Sequence, residues 1–144
     1  MAETKIPARD YTFEVDPAGG TTYVEIGGIT SWSVSKSDTS TETTDFDSDG
    51  RSESLKMETG ESFTLEGFLK TDVSDGSRDA GQAACEDLDD NLGLDSLGAW
   101  RFTAPDGEVK TFDGHCSVTK GGGGNNDMSK WSVEITASGV ITTN

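Results

Sequence analysis

A mainly β fold with a single helix is predicted by three observations. Apolar and polar residues alternate in short segments along most of the chain, and Gly, Asp and Pro bound those segments. Period-two alternation puts one side of a segment against a core and the other in water, which is the pattern of a strand. The composition, 31% hydrophobic with 18 Gly among 144 residues, leaves a thin core and much chain in turns. That length is close to the commonest domain size, so residues 1–144 read as one domain.

The first candidate strands are "YTFEV", with Tyr11, Phe13 and Val15 on one face, and "TTYVEI", with Val24 and Ile26. In "TSWSVSK" Trp32 and Val34 oppose Ser31, Ser33 and Ser35; in "ESFTLEGFLK" Phe63, Leu65 and Leu69 oppose Ser62, Thr64 and Glu66. Residues 36 to 60 carry only Phe46, Leu55 and Met57 as large apolar side chains, so about 38–60 is expected to be a long extended loop. A loop that long in a small domain usually has a function. A helix is expected over about 78–92, where Ala80, Ala84, Leu88 and Leu92 recur four apart. Ser77 is its candidate N-cap, Asp79 suits its positive end and Gly93 suits the C′ position. "AWRFTAPDGEVKTF" reads as a hairpin turned at Pro105-Asp106-Gly107, with Trp100 and Phe102 facing inward. "KGGGGNNDM" at 120–128 then turns into the last strand, "KWSVEITASGVI". There Trp131, Val133, Ile135 and Ala137 alternate with Ser132, Glu134, Thr136 and Ser138, and Gly139 marks a bulge.

Charge narrows the function. With 27 acidic against 11 basic residues the net charge is -16, which argues against sequence-led binding to nucleic acid. The same charge suits a surface that nucleic acid passes without sticking; solubility is the plain alternative. No stretch of about 18 apolar residues exists, so no spanning helix is expected. "MAETKIPARDYTFEV" lacks the apolar core of a signal peptide, and the chain is expected to stay in the cytoplasm that makes it. Cys85 and Cys116 are accordingly expected to be two reduced, buried thiols.

Asp45, Asp47 and Asp49 alternate and Gly50 follows, as at the start of a helix-flanked calcium loop. Such a loop takes ligands from positions 1, 3, 5, 7 and 9, with Gly at 6 and a bidentate Glu at 12. With Asp45 first, Glu53 falls at position 9, yet Lys56 stands where the strongest ligand belongs. The flanks are rich in Thr and Ser, poor helix and good strand. The expected reading is an acidic turn closing a long hairpin, with no metal assigned; a non-helical calcium turn on Asp45, Asp47, Asp49 and Glu53 is the weaker alternative.

Nothing else rises to an enzyme. His115 and Cys116 are neighbours in a strand and point to opposite faces, so they do not share a metal, and no second His or paired Cys completes a zinc site. "GGGG" at 121–124 lacks the Lys-Ser/Thr and the following helix of a phosphate-cradling loop. No catalytic residue and no cofactor is assigned.

Taken in order, five segments resemble the major tail, or tail tube, proteins of long-tailed, siphovirus-type bacteriophages. They are "VEIGGITSWSVSKS" (24–37), "TETTDFDSDGRSESL" (41–55), "FTLEGFLKTD" (63–72), "GQAACEDL" (81–88) and "WSVEITASGVIT" (131–142), which together cover most of the chain. The resemblance implies a β-sandwich or half-barrel with one flanking helix, assembled as hexameric rings that stack into a hollow tube. Inner strands of six subunits would join edge to edge, and DNA would pass through the lumen without sequence-specific binding. An arm would reach the neighbouring ring; Thr44, Asp45, Phe46, Asp47, Asp49, Gly50 and Arg51 form its tip. The partners implied are further copies of the chain and the tape measure, tail tip and tail terminator proteins, and the place is the phage tail. Related tubes occur in contractile tails and type VI secretion. Many relatives carry an aromatic residue after the Asp-Gly turn, where this chain has Arg51. No added C-terminal immunoglobulin-like domain is expected.

By alternation, Ser31, Ser33, Ser35, Ser62, Thr64 and Glu66 are the candidates to line the lumen. The rival reading is an acidic, calcium-dependent β-domain that binds carbohydrate or protein.

Overall fold

The alternating segments pair into one seven-stranded antiparallel sheet in the computed structural model, which describes residues 3–71 and 74–144. Asp72, the last residue of the segment 63–72 quoted above, falls outside them, as do Met1 and Ala2 of the opening stretch. The strands are β1 (Thr12–Asp16), β2 (Val24–Glu25), β3 (Ile29–Glu42), β4 (Ser54–Phe68), β5 (Gly98–Thr103), β6 (Val109–Lys120) and β7 (Lys130–Thr143). One helix, α1 (Ala80–Asp89), lies between β4 and β5. The spatial order is β2-β1-β5-β6-β7-β4-β3.

The sheet curls until its two ends meet, which gives the half-barrel. Trp32 on β3 packs on Tyr11 and Phe13 beside or on β1, with ring centroids 4.7 and 5.4 Å apart. Phe102 continues the stack to Phe13 at 5.0 Å and to Phe63 at 4.9 Å, both edge to face. Edge-to-face pairs add to the burial of their area because a ring's positive rim meets a negative face. The predicted inward residues Phe13, Val15, Phe63, Leu65, Trp100, Phe102, Trp131, Val133 and Ile135 are all buried in this core. Val34 departs from the expectation: it is 46% exposed, at the open mouth of the curl.

Helix α1 closes the other side; its boundaries differ from those expected, and of the expected stripe Ala84 and Leu88 are buried while Ala80 and Leu92 are not. It runs over Ala80–Asp89 and not 78–92, and its N-cap is Asp79, whose carboxylate accepts from the Gln82 N–H at 3.2 Å. Ser77, the expected cap, is engaged with the Asp75 carboxylate. At the far end Asp87, Asp89 and Asp90 crowd the negative pole of the helix dipole, which opposes further turns. Gly93 is left-handed at φ 66°, three residues past the C-cap Asp90, and begins a short 3-10 turn. The buried face is Gly81, Gln82, Ala84, Cys85 and Leu88, while Ala80 and Leu92 are exposed. Gly81 is on that face because a Cβ there would overlap the Glu25 carbonyl. Gln82 is fully buried and donates to the carbonyls of Gly27 at 3.0 Å and Phe68 at 2.9 Å, while accepting from the Lys70 N–H at 3.1 Å.

The segment 38–60 is extended but not open: it is the outer part of a β3–β4 hairpin paired out to Glu42 and Ser54. Its Thr- and Ser-rich strands favour β geometry, and the backbone ladder satisfies the N–H and C=O groups without a core beneath. A register shift at Thr39/Ser40 lets Met57 bulge out of the ladder. The expected bulge at Gly139 is present, since β6–β7 pairing slips between Thr111/Asp113 and Gly139 takes φ 83°. The Pro105-Asp106-Gly107 turn also forms, closed by Gly107 N–H donating to Ala104 O at 3.0 Å.

One further device fixes the β1–β2 turn. The buried Asp16 carboxylate accepts N–H groups of Ala18, Gly20, Thr21 and Thr22 at 2.7 to 2.8 Å. Led by the bonds from Thr22 and Ala18, these donors hold its pKa below the ordinary 3.8.

Two outcomes are expected. Gln82→Leu strands two carbonyls and one N–H in the interior, so urea unfolding should show a loss of about 3 kcal/mol; a loss under about 1 kcal/mol would refute its anchoring role. A depressed carboxyl pKa stabilises the fold above the unfolded value, and that contribution vanishes as pH falls through the folded value below 3.8. The melting-temperature gap between the wild type and Asp16→Asn should therefore be full at pH 6 and close on titration toward pH 2.

Candidate functional site

The outer face of the curl is a polar wall four strands wide. Strand pairing aligns Ser31, Glu66, Ser132 and Thr119 in one row across β3, β4, β7 and β6. The next row is Ser33, Thr64, Glu134 and Ser117, and the third is Ser35, Ser62, Thr136 and His115. All six sequence candidates thus lie together, directly opposite one another in pairs. The β6 and β7 half of the wall is not among those candidates, although Ser132, Glu134 and Thr136 alternate in the same way. None of the residues in these rows is Lys or Arg, and Glu66 and Glu134 are exposed. Ser31 donates weakly to the Glu66 carboxylate at 3.5 Å, so the wall is loosely bonded within itself and open to water.

The wall ends at an unpaired edge. β3 is the last strand in the sheet order, is 14 residues long and pairs only with β4, while the opposite edge strand β2 has two residues. A long edge exposes a row of unmet N–H and C=O groups, a template for another strand. Natural monomers blunt such edges with short strands, bulges or charge; β2 is short, whereas β3, despite a bulge at Thr30 and the charges of Lys36, Asp38 and Glu42, keeps a 14-residue edge.

The hairpin carries its tip well clear of the core. Asp45 caps a 3-10 turn at Phe46–Ser48: its Oδ1 accepts from the Asp47 N–H at 3.0 Å and from the Ser48 hydroxyl at 3.1 Å. Asp49 and Gly50 both take positive φ, 53° and 78°, and the Arg51 N–H donates to Ser48 O at 3.0 Å. That is the reversal Asp-Gly favours. The backbone of Glu53 is bound to Thr43 and Thr44 across the base of the tip. The three Asp side chains and Glu53 are therefore used as turn-formers and surface charge, and among the described residues no three or more His, Cys, Asp or Glu side chains gather to hold a metal ion. Phe46 is 103% exposed, as bare as in an extended chain.

The other chemistry-bearing residues are placed apart. His115 is exposed on the wall while Cys116 faces the core. The Cys116 thiol donates to the Cys85 carbonyl at 3.3 Å; burial pushes its pKa up to about 12 and raises that of Cys85. Both thiols are free and buried, and thiols held protonated are poor nucleophiles.

No protein-family model and no curated protein matches the chain. Solved structures do. A chain from the tail of an empty gene transfer agent (GTA) particle, obtained by helical refinement with C6 symmetry, is 17% identical with a TM-score of 0.75, covering 96% of this chain and 98% of that one. A chain of the SPP1 tail tube is 16% identical over 97% of this chain and 79% of its own, with a TM-score of 0.66. A chain of the sixfold-symmetrised anti-feeding prophage (AFP) baseplate is 11% identical over 100% and 97%, with a TM-score of 0.63. The chain has the fold of phage tail tube proteins along its length.

If the Asp-rich tip is a turn and not a calcium site, 1 mM calcium or excess chelator should shift the melting temperature by less than about 2 °C, the limit set by a millimolar site. A rise of several degrees with calcium would restore the rival reading.

Proposed function

We propose that the chain is a structural, non-catalytic subunit of a bacteriophage tail tube, built of hexameric rings that stack into a conduit for DNA. The observation that carries this reading is the 14-residue free edge of β3 bordering a wall without a Lys or Arg in its rows. Closing a ring pairs that edge with the next subunit and removes the edge altogether. The wall then lines the lumen with hydroxyls and carboxylates. Binding of nucleic acid without regard to sequence depends on cations that neutralise phosphates, so such a lining lets DNA slide. The sixfold symmetry of the GTA tail and AFP baseplate neighbours supports six subunits per ring.

In this reading Ser31, Ser33, Ser35, Ser62, Thr64 and Glu66 face the lumen together with Ser117, Ser132, Glu134 and Thr136. The tip from Thr44 to Arg51 contacts the adjoining ring. Tape measure, tail tip and tail terminator proteins set the tube's length and ends, and the assembled protein resides in the virion.

Negative-stain electron microscopy of concentrated protein should show rings or tubes, and Phe46→Ala should impair stacking. The same variant should melt within about 2 °C of the wild type, because a fully exposed side chain contributes little to the monomer. Failure of the wild-type chain to polymerise even with tail tip and tape measure proteins would overturn the reading.

A further inference from the structure

Among the described residues nothing covers the side chain of Phe46, and the curl leaves a hollow suited to it. The hollow holds about 90 Å³ between the meeting ends of the sheet, with Tyr11, Trp32, Phe63 and Phe102 as walls. Val34, Glu108 and Lys110 form its mouth. A sealed cavity of about 150 Å³ takes a whole benzene ring, so this smaller, open one takes a phenyl edge while the remaining ring covers Val34. Val34 is the inward residue of β3 that the fold leaves 46% exposed, and an arriving ring would bury it. Edge-on entry also presents the positive rim of the incoming ring to the faces of the walls.

The chain cannot fill this hollow with its own Phe46. Val34 and Glu42 are eight residues apart on one continuous strand, about 26 Å at the usual rise, and the tip lies beyond Glu42. The occupant must come from another molecule, and the charges around Phe46 match those around the mouth. The tip flanks its ring with Asp47 and Asp49 on one side of the turn and Arg51 on the other. The mouth offers Lys110, whose ammonium reaches Glu61 only at 3.9 Å, and the exposed Glu108. The Lys110 ammonium also lies 5.5 Å from the centroid of the Phe63 ring, at the hollow itself, where an Asp of the tip would be a second carboxylate for it beside Glu61, and Arg51 would meet Glu108.

We infer that the aromatic hollow of one copy is the socket for Phe46 of a second copy, with Lys110 and Glu108 pairing to Asp47 and Arg51 around it. This rests on the tube reading and adds the surface through which successive rings grip.

The test places the photoreactive residue p-benzoylphenylalanine at position 46 of the full chain, an exposed site whose replacement leaves the core intact. Isotope-labelled and unlabelled chains are mixed, concentrated with tail tip and tape measure proteins, and irradiated. Crosslinks between copies should map by mass spectrometry to the socket walls and mouth. Lys110→Glu should lower their yield about tenfold, equivalent to about 1.4 kcal/mol, and Asp47→Lys in the same chain should restore it. The restoring pair guards against a misfolded single variant. Rings or tubes with crosslinks elsewhere, or with none, overturn the socket and leave the tube reading standing. Absence of crosslinks together with failure of the unmodified chain to assemble under the same conditions overturns the two together. Crosslinks to the socket without any tube uphold the contact and overturn the tube.

Discussion

The contact of Trp32 with Tyr11 and Phe13 joins the two ends of a single sheet, and most of the molecule follows from it. A chain that is 31% hydrophobic cannot cover two faces of a seven-stranded sheet. Curling gathers the apolar residues onto one concave side and leaves the convex side to Ser, Thr and Glu. The same curl creates the hollow at its mouth, because the two ends touch at a few rings without zipping into a closed ladder. Helix α1 closes the flank with small residues, since Gly81 and Gln82 bring backbone and amide directly onto the chain near β2 and the end of β4.

Elements with a core beneath them were legible in the sequence. Phe13, Val15, Phe63, Leu65, Trp131, Val133 and Ile135 fall inward as alternation predicts, because a half-buried strand writes its own period into the chain. The phase of α1 was half legible: Ala84 and Leu88 of the expected stripe are buried, but apolar spacing gives no sign of Gly81, buried for closeness, or of Gln82, buried for its hydrogen bonds. The outer β3–β4 hairpin carries no such period either. Its ladder is held by backbone groups, which every residue supplies alike, so the sequence shows only that the segment lacks a core.

The wall was half legible for a related reason. Alternation tells which residues of one strand share a face, but the alignment of β4 with β7 and of β7 with β6 is a property of strand order. The β6–β7 pairing is a hairpin whose turn at 120–128 is visible in the sequence, but the β4–β7 pairing joins strands far apart in the chain and leaves no local mark. The Asp triplet was the opposite case, a strong local mark whose geometry serves the turn: Asp45 caps, and Asp49 supplies a left-handed residue before Gly50.

The hairpin has a mechanical consequence. β3 and β4 stay paired from the tip, past the bulge at Met57, to the root, where Trp32 and Leu65 face each other in register. A pull on the tip loads both strands in the same direction along their length, so it travels through covalent backbone to the root and does not unzip the ladder between them. Tension applied at Phe46 therefore arrives almost undiminished at the rings that hold the curl shut.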